Sequence, residues 1–284
     1  MRHRRGALAL AVLLLVVLVA VLAVTRGGSG APGATPVAQA AYLTSRSPGF
    51  RFSMTVSVSV AGHSFTLDGG GALDERDREG SMSFYVAGRS IEEIIKSPYV
   101  YVKVPPGASS ALAGSKEWIG VNLDAYSQAF GVSSPLSGSS AGPTELVGFL
   151  RSSGAVKTLG EETIRGVDTT HYHVLADLAR YAATLPAAKH ASARATAQLL
   201  KHVTGSSTLP LDAWIDGQGR LRRVASQLEL CTPVGRLLES FSVDLYDFAR
   251  QPPVHAPDAS RVSDMTAKVQ SQASRALSRF ACKP

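Results

Sequence analysis

Apolar and polar residues alternate without a break from Phe50 to Val60. Phe50, Phe52, Met54, Val56, Val58 and Val60 fall on one side, and Arg51, Ser53, Thr55, Ser57 and Ser59 on the other. A period of two over this length predicts a strand with one side in an apolar interior and the other in water, as in an antiparallel sheet. Gly62 marks a turn into residues 63–68, and the glycines at 69–71 bend the chain. Residues 73–86 return with Met82, Phe84 and Val86 on one side, so consecutive hairpins are expected. No helix pattern follows the glycine triplet, which therefore reads as a bulge or sharp coil rather than a phosphate loop.

The alternation resumes at 99–104, where Val100, Val102 and Val104 share a side, and again at 117–123 around Trp118. Pro143-Thr144-Glu145 opens a short helix running to Leu150. Two strands follow at 156–164 and 167–175, turned at Arg165-Gly166. The alanine-rich stretch 177–203 predicts two helices separated at Pro186, whose ring removes a backbone donor; the second carries Leu199, Leu200 and Val203 toward the core. From Leu209 strands return, with Asp216-Gly217 supplying a positive φ in a tight turn, and a third strand covers 237–248. The spacing of Val262, Met265, Val269, Ala273, Leu277 and Phe280 predicts a closing helix over 259–280.

These elements give an α+β chain of about nine or ten antiparallel strands and few helices. The expected fold is a strongly curved antiparallel β-sheet, a half-barrel with helices packed on its concave face, preceded by one N-terminal transmembrane helix. So broad a sheet curls, and its concave side is either packed by helices or lines a cavity. An uncharged cavity suits acyl chains, because each buried methylene gains about 0.8 kcal/mol without needing a directional partner. The residues expected to contact such a chain are Phe52, Met54, Val56, Met82, Phe84, Val100, Val102, Val243 and Leu245. The same pattern also fits side chains that simply pack on one another.

Ahead of the strands stands an uncharged apolar run from Ala7 to Val24, with Arg2, Arg4 and Arg5 before it and Arg26 after it. A helix of that length rises about 27 Å, near the roughly 30 Å hydrocarbon core, whereas a cleavable signal has an apolar region of about 7–15 residues. Residues 1–26 are therefore expected to be an uncleaved signal anchor. The excess of arginine on its N-terminal side leaves the main domain outside the cytoplasm on a single-pass membrane protein. The alternative is cleavage at the small-x-small Ala38-Gln39-Ala40, which gives a secreted protein. Residues 27–41, mostly small and polar, are expected to form a flexible tether spanning about 22 Å, and residues 42–284 a single domain.

Beyond residue 28 the chain holds 25 basic and 22 acidic residues. That balance is too even for the basic face nucleic acid requires, so no nucleic-acid partner is expected. Cys231 and Cys282 are the only cysteines. Outside the cytoplasm they are a disulfide candidate, which would close a loop of about 50 residues and stabilise by about 4 kcal/mol.

Candidate chemistry is sparse. His171 and His173 share a face of one strand, but a metal site needs three or four ligands, so no metal is expected. Asp168, His171 and a serine could make a hydrolytic triad, yet no Gly-x-Ser-x-Gly elbow follows a strand. There is no Gly-Lys dipeptide, His-Glu-x-x-His or Cys-x-x-Cys either. A non-enzymatic protein without cofactors is expected.

Three stretches carry a family resemblance: Tyr99-Val100-Tyr101-Val102-Lys103-Val104 with Trp118-Ile119-Gly120-Val121-Asn122-Leu123; Trp214-Ile215-Asp216-Gly217-Gln218-Gly219-Arg220-Leu221-Arg222-Arg223-Val224; and Tyr246-Asp247-Phe248 with Pro252, Pro253, Pro257 and Val262. Over residues 42–275 the sequence resembles the LolA-like superfamily of bacterial lipid- and lipoprotein-binding proteins, in particular the actinobacterial lipoproteins of the LppX and LprG kind. The resemblance implies a curved sheet enclosing helices, a hydrophobic cavity, and carriage, presentation or sensing of a lipid or acylated molecule rather than catalysis. The chain departs from the family in lacking a lipobox cysteine and in carrying Ala249 where glycine is more typical. A domain fixed to the membrane by its N-terminal helix does not fit a shuttle. The alternative function is an envelope sensor or scaffold that binds a partner protein.

Overall fold

The unbroken alternation becomes β1 (Gly49–Val60), which buries Phe50, Phe52, Met54, Val56 and Val58 to 5% exposure or less. The opposite side of β1 forms a polar ladder with β2 (His63–Asp74). Thr55 Oγ1 donates to Asp68 Oδ1 at 2.7 Å, and the hydroxyls of Ser57 and Ser59 meet those of Thr66 and Ser64. The computed structural model describes residues 35–60, 62–86, 88–105, 116–125, 156–177, 190–232 and 235–277.

The remaining strands are β3 (Glu79–Val86), β4 (Arg89–Lys96), β5 (Tyr99–Lys103), β6 (Trp118–Asn122), β7 (Val156–Ile164), β8 (Val167–Asp177), β9 (Thr208–Asp216), β10 (Leu221–Thr232), β11 (Gly235–Tyr246) and β12 (Val262–Asp264). All belong to one curved, unclosed sheet ordered β12-β6-β5-β4-β3-β2-β1-β11-β10-β9-β8-β7. Every neighbouring pair is antiparallel except β12 with β6. Packed on it are α1 (Pro36–Ser45) against β9 and β10, α2 (His190–Thr204) against β10, and α3 (Thr266–Leu277) against β6.

β2 runs through the glycine triplet with its pairing to β1 and β3 unbroken, and no bulge forms there. A Cβ at residue 71 would lie 2.1 Å from the Ser81 carbonyl oxygen and 2.7 Å from Met82 Cα. Those are backbone atoms that a side chain cannot push aside, so glycine at 71 lets β2 and β3 pair this closely.

Several elements depart from the sequence reading. β4 fills residues 89–96, where no strand was expected. Residues 36–41 of the expected tether instead belong to α1, capped by the Thr35 hydroxyl on the Ala38 N–H, with Pro36 at its first position. Its Val37, Ala38, Ala40 and Ala41 are buried to 3% or less. The buried Leu221 N–H donates to Thr44 Oγ1 at 2.9 Å, locking α1 to the start of β10.

The closing helix starts at Thr266, not 259. Residues 262–264 pair in parallel with β6 instead, so Val262 faces a strand neighbour. In the β9–β10 turn Gly219, not Gly217, takes the positive φ of 76°. Asp216 organises that turn by accepting the N–H groups of Gln218 and Arg220, each at 2.9 Å, and the Nε of Arg222 at 2.7 Å. Burial raises the Asp216 pKa, but these donors outweigh it and hold the carboxyl below its ordinary value. β11 ends at Tyr246 because Asp247 turns to a φ of 52°.

Residues 1–26, the helix expected at 143–150 and the first of the two helices expected around Pro186 lie outside the described residues. Among the described residues no helix is long and apolar enough to cross a membrane.

Candidate ligand-binding face

Because side chains alternate along every strand, the ladder registers decide which residues share a side of the sheet. Leu245, Phe52, Gly71, Met82, Glu93, Val102 and Ile119 form one row across β11, β1, β2, β3, β4, β5 and β6. Val243, Met54, Gly69, Phe84 and Ile91 form the row beside it. Val56 lies one step further along β1, and Val100 pairs with Ile95 on the same side. All nine residues expected from the sequence therefore stand on one face. Eight are exposed by 5% or less, and Val102 is part-buried.

Leu67 and Leu73 of β2 and Ile95 of β4 are also buried in this core. Burying each of the larger side chains is worth about 1.5–3 kcal/mol, so this face is also the main source of the sheet's cohesion.

Sequence reasoning missed two carboxyls on this face. Glu93 is wholly buried in the middle of the first row, and neither of its carboxylate oxygens has a hydrogen-bond partner. Burial pushes its pKa up to about 8. Glu239, opposite Val58 on β11, is part-buried, and burial likewise raises its pKa. The signal for Glu93 was available in Ile91-Glu92-Glu93-Ile94-Ile95: read with a period of two, Ile91 and Ile95 place Glu93 on their own side.

No family model matches the sequence, and no curated protein matches it. Solved structures do match. The chain is similar to the lipoprotein LppX of Mycobacterium tuberculosis at 13% identity, covering 78% of this chain and 96% of that one with a TM-score of 0.46. It is similar to LprF of Mycobacterium bovis at 15% identity, covering 81% and 99% with a TM-score of 0.43. A chain of the Pseudomonas aeruginosa MucA/MucB complex matches at 13% identity, covering 79% and 57% with a TM-score of 0.31.

The opposite face of the sheet is polar. A trough of about 770 Å³ lies over β1–β4, lined by Arg51, Ser53, Asp68, Ser83, Tyr85 and Tyr246 among others, with the glycine triplet in its floor. Phe52, Met82 and Phe84 border it beside those glycines.

Further along this face His171 stacks on Trp214 with ring centroids 4.0 Å apart. Its ring nitrogens lie 2.8 Å from Glu162 Oε1 and 3.1 Å from Asp212 Oδ1, and His173 Nδ1 lies 3.0 Å from the same Asp212 oxygen. Among the described residues no group of three or more such side chains is arranged to hold a metal. Asp168 accepts from the Thr163 hydroxyl at 3.0 Å. Cys231, on β10 opposite Arg236, is disulfide-bonded; Cys282 lies outside the described residues.

Proposed function

We propose that the protein binds a lipid or acyl chains on the apolar face of its sheet, held at the outer surface of the cytoplasmic membrane by its N-terminal apolar run, and that it carries, presents or senses that lipid without chemistry of its own. One observation carries this reading. A continuous set of buried, mostly apolar side chains crosses β5, β4, β3, β2, β1 and β11 on one side of the sheet, with the carboxyl of Glu93 in its middle. A surface of Phe, Met, Val and Leu accepts methylenes of any register, so affinity rises with chain length. Phe52, Met54, Val56, Met82, Phe84, Val100, Val102, Val243 and Leu245 are the proposed contacts.

The test is lipid retention by the full chain. Native mass spectrometry of the purified protein is expected to show bound lipid, and a fluorescent fatty acid to be taken up. Phe84→Asp or Val56→Asp should reduce that uptake with circular dichroism unchanged. Recovery of a protein partner from crosslinked cells, with no lipid retained, would favour the sensor or scaffold role instead.

A further inference from the structure

Along β4 the sequence Ile91-Glu92-Glu93-Ile94-Ile95 sends its two carboxyls to opposite sides. Glu92 faces the polar side, where Lys103 Nζ donates to it at 2.8 Å and both groups are about half exposed. Glu93 faces the apolar side and is wholly buried. Among the described residues its flanking strands turn Met82 and Val102 toward it, and no hydrogen-bond donor or acceptor reaches its oxygens. A leucine would pack at this point without cost, whereas a carboxyl leaves its hydrogen-bonding capacity unused. A partner that arrives from outside the fold can satisfy such a group.

We propose that Glu93 is the polar reading point of the acyl-binding face: it hydrogen-bonds an uncharged oxygen of the ligand, an ester or amide carbonyl, while the attached chain lies along Phe52, Met82, Phe84 and Val100. The inference rests on the lipid-binding reading and narrows it to acylated molecules, as distinct from plain hydrocarbon. Burial keeps the acid protonated at neutral pH, so its O–H donates and the ligand carbonyl accepts. An anionic carboxylate ligand gains less, because its own charge would have to be buried among apolar groups.

The experiment compares carbonyl-labelled methyl palmitate with octadecane, both offered to the full chain held in amphipol. On the wild-type protein the infrared band of the ester carbonyl is expected below its position in liquid hydrocarbon. Glu93→Gln, which retains an N–H donor, should keep that displacement. Glu93→Leu should abolish it and weaken ester binding about tenfold, in line with one lost hydrogen bond, while octadecane binds all three proteins alike.

An undisplaced band on the wild-type protein overturns the inference and leaves lipid binding standing, and this readout depends on no variant folding. Failure of both probes to bind overturns the lipid reading and this inference together.

Discussion

Glu93 stands opposite Met82 across the β3–β4 ladder, a carboxyl beside a thioether in the middle of a row that is otherwise hydrocarbon. Its proton is held more tightly in the folded chain than in the unfolded one, with a pKa raised from 4.5 to about 8. The sign follows directly. Between those two values the folded state binds more protons, so its stability is greatest on the acid side and falls as pH rises, by about 1.4 kcal/mol per unit, levelling off above the folded pKa. Urea unfolding at pH 5, 7 and 8.5 should show the wild type losing stability relative to Glu93→Gln, with the variant ahead at pH 8.5. Parallel pH profiles for the two proteins would contradict the burial described.

Gly71 fixes how closely β2 and β3 approach. Gly71→Ala should destabilise the domain by about 1–3 kcal/mol, because the new methyl meets backbone rather than a movable side chain. Gly217→Ala, whose Cβ would meet nothing within 4 Å, should stay within about 0.5 kcal/mol of wild type. Thermal unfolding of the pair decides it, and equal melting points would refute the steric argument.

Thr44 tests whether α1 belongs to the domain. Thr44→Ala strands the buried Leu221 N–H and should cost about 1–3 kcal/mol, while Thr44→Ser keeps the acceptor and most of the stability. If residues 36–45 were only a tether, neither substitution would move the denaturation midpoint.

How much of this was legible beforehand depends on how uniform each face is. β1 could be read because one side is wholly apolar and the other wholly polar, and the nine expected contacts share a face because the alternation also holds on β3 and β5 and, around Val243 and Leu245, on β11. β4 was missed because Glu92 and Glu93 sit side by side, so the carboxyl that turns inward interrupts the apolar side that Ile91 and Ile95 mark. α1 looked like linker because its buried residues are mostly alanines, whose small side chains suit close packing as well as flexible coil. Thr35 and Pro36 were the usable signal there. At the C-terminus Val262, Met265 and Val269 fall at helical spacing, but Val262 closes a short 3-10 turn with its N–H on the Ala259 carbonyl and then runs extended beside β6.

The two margins of the sheet are unequal. One ends in β12, three residues of the chain's own C-terminal region laid parallel to β6. The other ends in β7, a nine-residue strand that is mostly exposed and has a single sheet neighbour. Among the described residues β7 is the long edge that a second copy would meet in a lateral encounter, and Lys157, Glu161 and Glu162 keep charge along it. Solubility of the folded domain is guarded at that border by electrostatics, and at the other by brevity.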